Sequence, residues 1–266
     1  MAIFMSNQTN LTSPHPAGHI QYAFDMLLSH DKMISCKIVH PKVNNIVFEK
    51  VNSTDQFDDK WLMTVHTGEV SSIKEVQEIG NAIKDIIVDT LAFTLNTKIG
   101  EMRVVGYNLV PRFGEGAIGN TLLAFEGIGT GKVGCSKLNN NDIREIQNAF
   151  LSMPILKYTN LIRLFRHAIS TDEPIVQFML LYLILYEIQH DKQQAVDTYV
   201  MKVAPSTPQS VSPRPHKSEI METIYTKLRN EITHRTNVPY KTTRAEIINH
   251  LYEFRRIVRT AIKKTI

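Results

Sequence analysis

Thr171-Asp-Glu-Pro-Ile-Val-Gln-Phe-Met-Leu-Leu-Tyr-Leu-Ile-Leu-Tyr-Glu187 runs from a turn signal into nine consecutive apolar residues, Phe178 to Tyr186. Nine residues cannot span a bilayer, which needs about 20, so a protein core must bury them. Pro174 sits where a first helical turn tolerates a missing N–H. The run is therefore expected in one long helix from Thr171 to about Val203, apolar all round and central to a bundle. Upstream, Asp142 and Glu145 are expected to cap a segment reaching about Met153, and a second helix covers roughly Tyr158 to Ile169. Downstream, a fourth helix spans about Ser218 to His234, closed by Asn237 and Pro239. The last begins at the capping box Thr243/Glu246. Its Ile247, Leu251, Phe254, Val258 and Ala261 form a seam spaced four, three, four, three. Residues 141–266 thus read as a helical bundle, interrupted at 204–218. There Pro205, Pro208, Pro213 and Pro215 among Ser, Thr and Gln read as a flexible loop.

Residues 1–140 carry mixed signals and read as a separate α+β domain. β-rich runs lie at Ile34 to His40, Asn45 to Val51, Trp61 to Thr67, Met102 to Pro111 and Ile118 to Phe125. Between them a helix is expected from Ser72, with Glu75 completing a capping box and Val76, Ile79, Ile83, Ile86 and Ile87 forming its apolar face. The whole chain is expected to be α+β, a meander with one long helix followed by the bundle. The glycine-rich run Gly127-Ile-Gly-Thr-Gly-Lys-Val-Gly134 fails as a phosphate loop. Val133 follows Gly131-Lys132 where Ser or Thr is needed, and Glu126 stands at the first required Gly. It reads as a hairpin or linker.

Composition excludes several function classes. The 266 residues are 43% hydrophobic and 21% charged, enough to bury a core without staples. Cys36 and Cys135 are far apart and outside any CxxC pattern, which excludes a disulfide framework and a Cys-rich zinc site. The ten histidines include no HExxH and no His-x-His, so no metal and no cofactor is expected. The polar first residues lack a charged-then-apolar leader. A cytoplasmic, soluble chain with no membrane partner is expected, and the sequons at Asn7, Asn10 and Asn52 are read as chance. From Lys217 onward eleven Lys/Arg face five acids, a local +6 against +4 for the whole chain. Positive charge concentrated in one region favours anionic partners, nucleic acid first.

Within that basic region stands Leu228-Arg229-Asn230-Glu231-Ile232-Thr233-His234. Metal-free RNA cleavage needs a group that moves protons near neutral pH, which histidine does. It also needs a fixed cation on the crowded phosphoryl oxygens, which the planar arginine fork matches. An amide such as that of Asn230 donates and accepts, and so orients either group. Arg229, Asn230 and His234 resemble the signature of HEPN-superfamily ribonucleases: an Arg, often followed by Asn, then His after four to six residues, on a late helix of a bundle. Arg244 and His250 also fit the bare spacing, but Ala245 follows the Arg, and the pair starts at the cap of the final helix. The resemblance covers Asn141 to Ile266 and implies nothing specific about the first half.

The resemblance implies a metal-independent endoribonuclease, such as a toxin or antiviral effector, acting on RNA. It also implies a regulatory or antitoxin protein as restraint, while the N-terminal domain is expected to sense a trigger or hold activity down. His234 would be general acid/base, Arg229 phosphate clamp, and Asn230 orienting group. On a regular helix Arg229 and His234 lie about 140° apart. They would flank a polar side with Thr226, Asn230 and Thr233, opposite Met221, Ile224, Leu228 and Ile232. Either the helix unwinds near His234 or two copies meet, and HEPN nucleases resemble the second case, so a homodimer is expected. Arg255, Arg256, Arg259 and Lys263 on the last helix would hold the RNA backbone. Glu187 either orients Arg229 or faces solvent. The alternative is a non-catalytic HEPN-like module for nucleotide or RNA binding or for dimerisation. A purely structural bundle is a weaker third.

Overall fold

A computed structural model of the chain describes residues 17–26, 28–30, 33–51, 60–110, 118–120, 136–152, 159–212, 221–233 and 240–265. In chain order the elements begin β1 (Ala17–Asp25), β2 (Leu28–Ser29), β3 (Ile34–Cys36), β4 (Val43–Lys50), β5 (Lys60–Glu69), α1 (Ile73–Leu95) and β6 (Arg103–Val110). There follow β7 (Ile118–Asn120), β8 (Ser136–Lys137), α2 (Asn140–Leu151), α3 (Thr159–Ser170) and α4 (Pro174–Ile188). The chain continues through α5 (Gln193–Val203), β9 (Gln209–Val211), β10 (Met221–Thr223), α6 (Ile224–Thr233) and α7 (Tyr240–Thr265). It is an α+β chain, a sheet-rich part leading into helices. Two compact units are formed, Met1–Asp85 with Gly100–Ser152 and Ile86–Ile99 with Met153–Ile266.

The first unit is built on a six-stranded antiparallel sheet of order β3-β4-β5-β1-β6-β7. β1 lies in its middle, although no strand was expected there. Its signal is a short period of two, with Ile20, Tyr22 and Phe24 on one face and His19 and Gln21 between them. These three register opposite Val65, Met63 and Trp61 of β5, and all six are at most 3% exposed. The insertion of β1 between β5 and β6 turns the expected meander into a sheet with a central first strand. α1 packs on this face so closely that a Cβ at Gly80 would come within 2.6 Å of both Ile20 and the Tyr22 hydroxyl. Glycine is required there by proximity.

Local signals were partly displaced. The Ser72 hydroxyl accepts the Glu75 N–H at 3.2 Å, but Glu75 reaches back to Ser71, not to Ser72. The cap of α2 is Asn139 rather than Asp142, with Asp142 as its third-position partner. α2 belongs with the sheet, because the Gln147 amide donates to the Ser35 carbonyl at 3.0 Å and Phe150 packs 5.8 Å from Phe48. β2 and β8 pair in parallel. The glycine-rich run Gly127–Gly134 and the end of the strand expected over 118–125 lie outside the described residues.

In the second unit the expected seam holds: Ile247, Leu251, Phe254, Val258 and Ala261 of α7 are at most 9% exposed. Phe254 stacks on Tyr225 of α6 at 4.3 Å and lies 5.1 Å from Phe178 of α4. The helix expected from Thr171 to Val203 is two helices. After Ile188 the polar stretch Gln189 to Lys192 has no apolar face to bury, and His190 and Asp191 turn left-handed with φ of 55° and 59°. The Asp191 N–H bonds the Tyr186 carbonyl at 2.9 Å and closes α4. α5 then starts at Gln193.

The supposed loop 204–218 is ordered over its first half. β9 pairs antiparallel with β10, so the second unit is not purely helical. Ala204, Thr207 and Ser212 are buried there. Composition argued for a loop, but Thr207 and Ser212 satisfy their polar groups internally and so are free to be buried. Residues 213–218 lie outside the described set. The fourth helix starts at Ile224 rather than Ser218 because 221–223 is committed to this ribbon. α7 starts at Tyr240, and Thr243 is an interior residue whose hydroxyl donates to Glu231 at 2.8 Å.

Candidate functional site

The ribbon delivers two polar residues inward at its junction with α6. Glu222 is 1% exposed and Thr223 is fully buried. The Thr223 N–H and hydroxyl both donate to Asp197 Oδ1 of α5, at 3.0 and 2.6 Å. The same hydroxyl accepts the Thr226 N–H at 3.5 Å, so Thr223 ties the start of α6 to α5. Burial pushes the Asp197 carboxyl up from its ordinary value. Hydrogen bonds from Thr223 and Thr226 oppose that rise, and the Glu222 charge adds to it. The Thr226 hydroxyl shares a hydrogen bond of 3.2 Å with the Tyr182 hydroxyl of α4. Burial raises that phenol to about 12.

Glu222 accepts hydrogen bonds through both carboxylate oxygens. Its Oε1 takes the Ser212 hydroxyl at 2.7 Å and the Gln193 amide at 3.1 Å. Its Oε2 takes the Asn230 Nδ2 at 3.1 Å. Asn230, 2% exposed, then accepts from Arg229 Nη1 through its Oδ1 at 3.0 Å. The Arg229 guanidinium, half-buried, lies 5.9 Å from the centre of the Tyr182 ring, a cation–π distance. Among the described residues no carboxylate lies within ion-pair distance of it. A chain of contacts therefore runs from the buried Glu222 through Asn230 to a guanidinium that, among the described residues, keeps donors to spare.

Arg229 and Asn230 are thus brought together, and His234 lies outside the described residues. α6 is described to Thr233, whose hydroxyl bonds the Arg229 carbonyl at 3.0 Å. On the side of α6 expected to be polar, Thr226 and Asn230 are buried, while Met221, just before the helix, is 48% exposed. Residue type misled here because the polar groups are satisfied inside the unit. Glu187 is exposed, so of its two expected roles it takes the solvent one. At the far end of α6, Glu231 accepts from Thr243, and Lys227 lies 3.6 Å from both Glu231 and Glu246, which fastens α6 to α7.

The four basic residues expected on RNA divide into pairs. Arg255 donates to the Gln177 side chain, whose own amide donates to the Ala168 carbonyl. Burial lowers the Arg255 pKa. Arg259 donates to the Thr94 carbonyl and lies 5.9 Å over the Phe93 ring. Arg256 is exposed with a 3.0 Å bond to Glu253, and Lys263 is exposed. Arg256 and Lys263 are exposed, whereas Arg255 and Arg259 are half-buried.

Among the described residues, no group of three or more His, Cys, Asp or Glu is placed to hold a metal ion, and no helix is long and apolar enough to cross a membrane. The chain matches no protein-family model, no curated protein and no solved structure. Sequence reasoning missed Glu222, Asp197, Thr223 and Tyr182. Glu222 and Thr223 did offer a signal, being polar residues directly before Ile224-Tyr225, at the point where a helical period begins.

Proposed function

We propose that the chain is a metal-independent endoribonuclease of HEPN type, with Arg229, Asn230 and His234 as its site. In this reaction the 2′-oxygen of the RNA attacks the adjacent phosphorus, a new O2′–P bond forms, and the P–O5′ bond breaks. The 2′-hydroxyl loses its proton and the leaving 5′-oxygen gains one, so the products are a 2′,3′-cyclic phosphate and a 5′-hydroxyl. His234 moves a proton at one of these oxygens. Arg229 stabilises the charge that builds on the phosphoryl oxygens, a contribution of about 3 kcal/mol for one well-placed donor. Asn230 does not meet the substrate; it orients Arg229. The observation that carries this reading is the guanidinium itself, held by an amide and an aromatic face with no carboxylate among the described residues to neutralise it. A second copy of the chain facing the first would bring further copies of both groups to one phosphate.

Purified His234→Ala and Arg229→Ala are expected to lose cleavage of RNA while keeping wild-type far-ultraviolet circular dichroism. His234→Ala protein that cuts as fast as wild type would remove the catalytic role. The inward pairing of Arg255 and Arg259 leaves fewer contacts for the RNA backbone, and it favours a second reading, a HEPN-like binding or dimerisation module. Growth separates the two. A nuclease slows its host on expression and stops doing so as Arg229→Ala, whereas a binder is tolerated in both forms.

A further inference from the structure

We infer that Glu222 is the positioning residue that aims Arg229, acting through the side-chain amide of Asn230. The assignment rests on the nuclease reading and extends it to the residue that presets the phosphate clamp. An amide presents an acceptor at one end and donors at the other, whereas a carboxylate only accepts. Both oxygens of Glu222 are engaged, Oε1 by Ser212 and Gln193 and Oε2 by Asn230. The carboxylate therefore compels Asn230 to turn Nδ2 toward it, which leaves Oδ1 facing Arg229 at 3.0 Å. Glu222 is 1% exposed, Asn230 2% and Ser212 4%, so water does not compete for the Ser212–Glu222 and Asn230–Glu222 bonds. The sign of one buried group thus decides which end of the amide the guanidinium meets.

Glu222→Gln is nearly isosteric, yet it reverses this polarity. With its oxygen kept toward Ser212 and Gln193, the introduced NH2 faces Asn230 and flips that amide, so that Nδ2 opposes the Arg229 donors. Adding Asn230→Asp restores the pairing toward residue 222 and toward Arg229. The introduced amide would donate to one oxygen of the introduced carboxylate, and Arg229 to the other. Two readouts separate positioning from mere folding. In nitrogen-15 spectra of arginine side chains, assigned with Arg229→Ala, the Arg229 signal is expected to shift or broaden in Glu222→Gln and to recover in the double variant. In RNA cleavage, Glu222→Gln is expected to fall about a hundredfold, the size of losing one preset donor. It should cost nothing further in an Arg229→Ala background. An unmoved Arg229 signal overturns the assignment whether or not the wild-type protein cleaves RNA. So does an equal loss of rate in both backgrounds. Failure of wild-type cleavage, with the Arg229 signal still moving as expected, overturns the nuclease reading alone. If Glu222→Gln does not fold, the double variant decides: a wild-type Arg229 signal supports the assignment, and a displaced signal or an unfolded protein overturns it.

Discussion

Thr223→Val swaps a fully buried hydroxyl for a methyl of nearly the same size, so its cost isolates a hydrogen bond from packing. In the wild type that hydroxyl donates to Asp197 Oδ1 at 2.6 Å and accepts the Thr226 N–H at 3.5 Å. A bond to a charged acceptor contributes about 1.5–3 kcal/mol, and the loss of a helix cap about 1 kcal/mol. The 3.5 Å cap bond is long and sits at the weak end of that range, while the bond to Asp197 is short. A loss of about 3 kcal/mol is expected, equivalent to roughly 10 °C in Tm for a unit of this size. The probe matters: the single tryptophan, Trp61, belongs to the first unit and does not report on α5 and α6. Far-ultraviolet circular dichroism during urea unfolding does, with Thr233→Val as control. Thr233 is exposed and, among the described residues, bonds only the carbonyl one turn back, so its loss should stay under about 0.5 kcal/mol. Equal costs for the two substitutions would refute the view that Asp197 and Thr223 anchor the start of α6.

Asp197→Asn keeps an oxygen for Thr223 but removes the buried charge beside Glu222. The folded Asp197 carboxyl is raised above its ordinary 3.8. Its contribution is therefore fully present below that value and is lost as pH climbs through the elevated one. The stability of the variant relative to wild type, measured as urea midpoints, should rise as pH climbs from 3.8 through the elevated value; a flat or falling difference contradicts it. Phe254→Ala removes a ring packed between Phe178 and Tyr225 and should cost about 3–5 kcal/mol in the same assay. Arg256→Ala and Lys263→Ala should each lower the slope of log affinity for single-stranded RNA against log salt by about 0.7 without loss of stability. Arg255→Ala and Arg259→Ala should destabilise by about 1–3 kcal/mol because each leaves a buried acceptor without its donor.

Much of the helical architecture was legible because burial along one face writes a period into sequence. Ile247, Leu251, Phe254, Val258 and Ala261 are such a period, and all are buried. The same logic placed β3, β4, β5, β6 and the start of β7, together with α1. What escaped were elements whose polar residues are paired internally. β9, drawn from Gln, Ser and Val beside prolines, carries no apolar pattern, and its order comes from pairing with β10 about ten residues downstream, which no local window registers. β1 escapes because its alternation is short, only Ile20, Tyr22 and Phe24, with the small Ala23 breaking the polar side. At the site, Arg229 and Asn230 were chosen from their chemistry and spacing and do stand side by side. Glu222 was counted only as one acid among five in a basic region. Its role depends on a partner eight residues away across a strand-to-helix junction, where neither the period of two nor that of 3.6 applies.

The most direct measurement uses EDTA-treated protein with end-labelled RNA and maps both product termini. Fragments ending in 2′,3′-cyclic phosphate and beginning with 5′-hydroxyl, absent with His234→Ala, are the expected result. Intact RNA, or fragments carrying 5′-phosphate, or an unchanged yield from His234→Ala, would contradict a metal-free site built on Arg229 and His234.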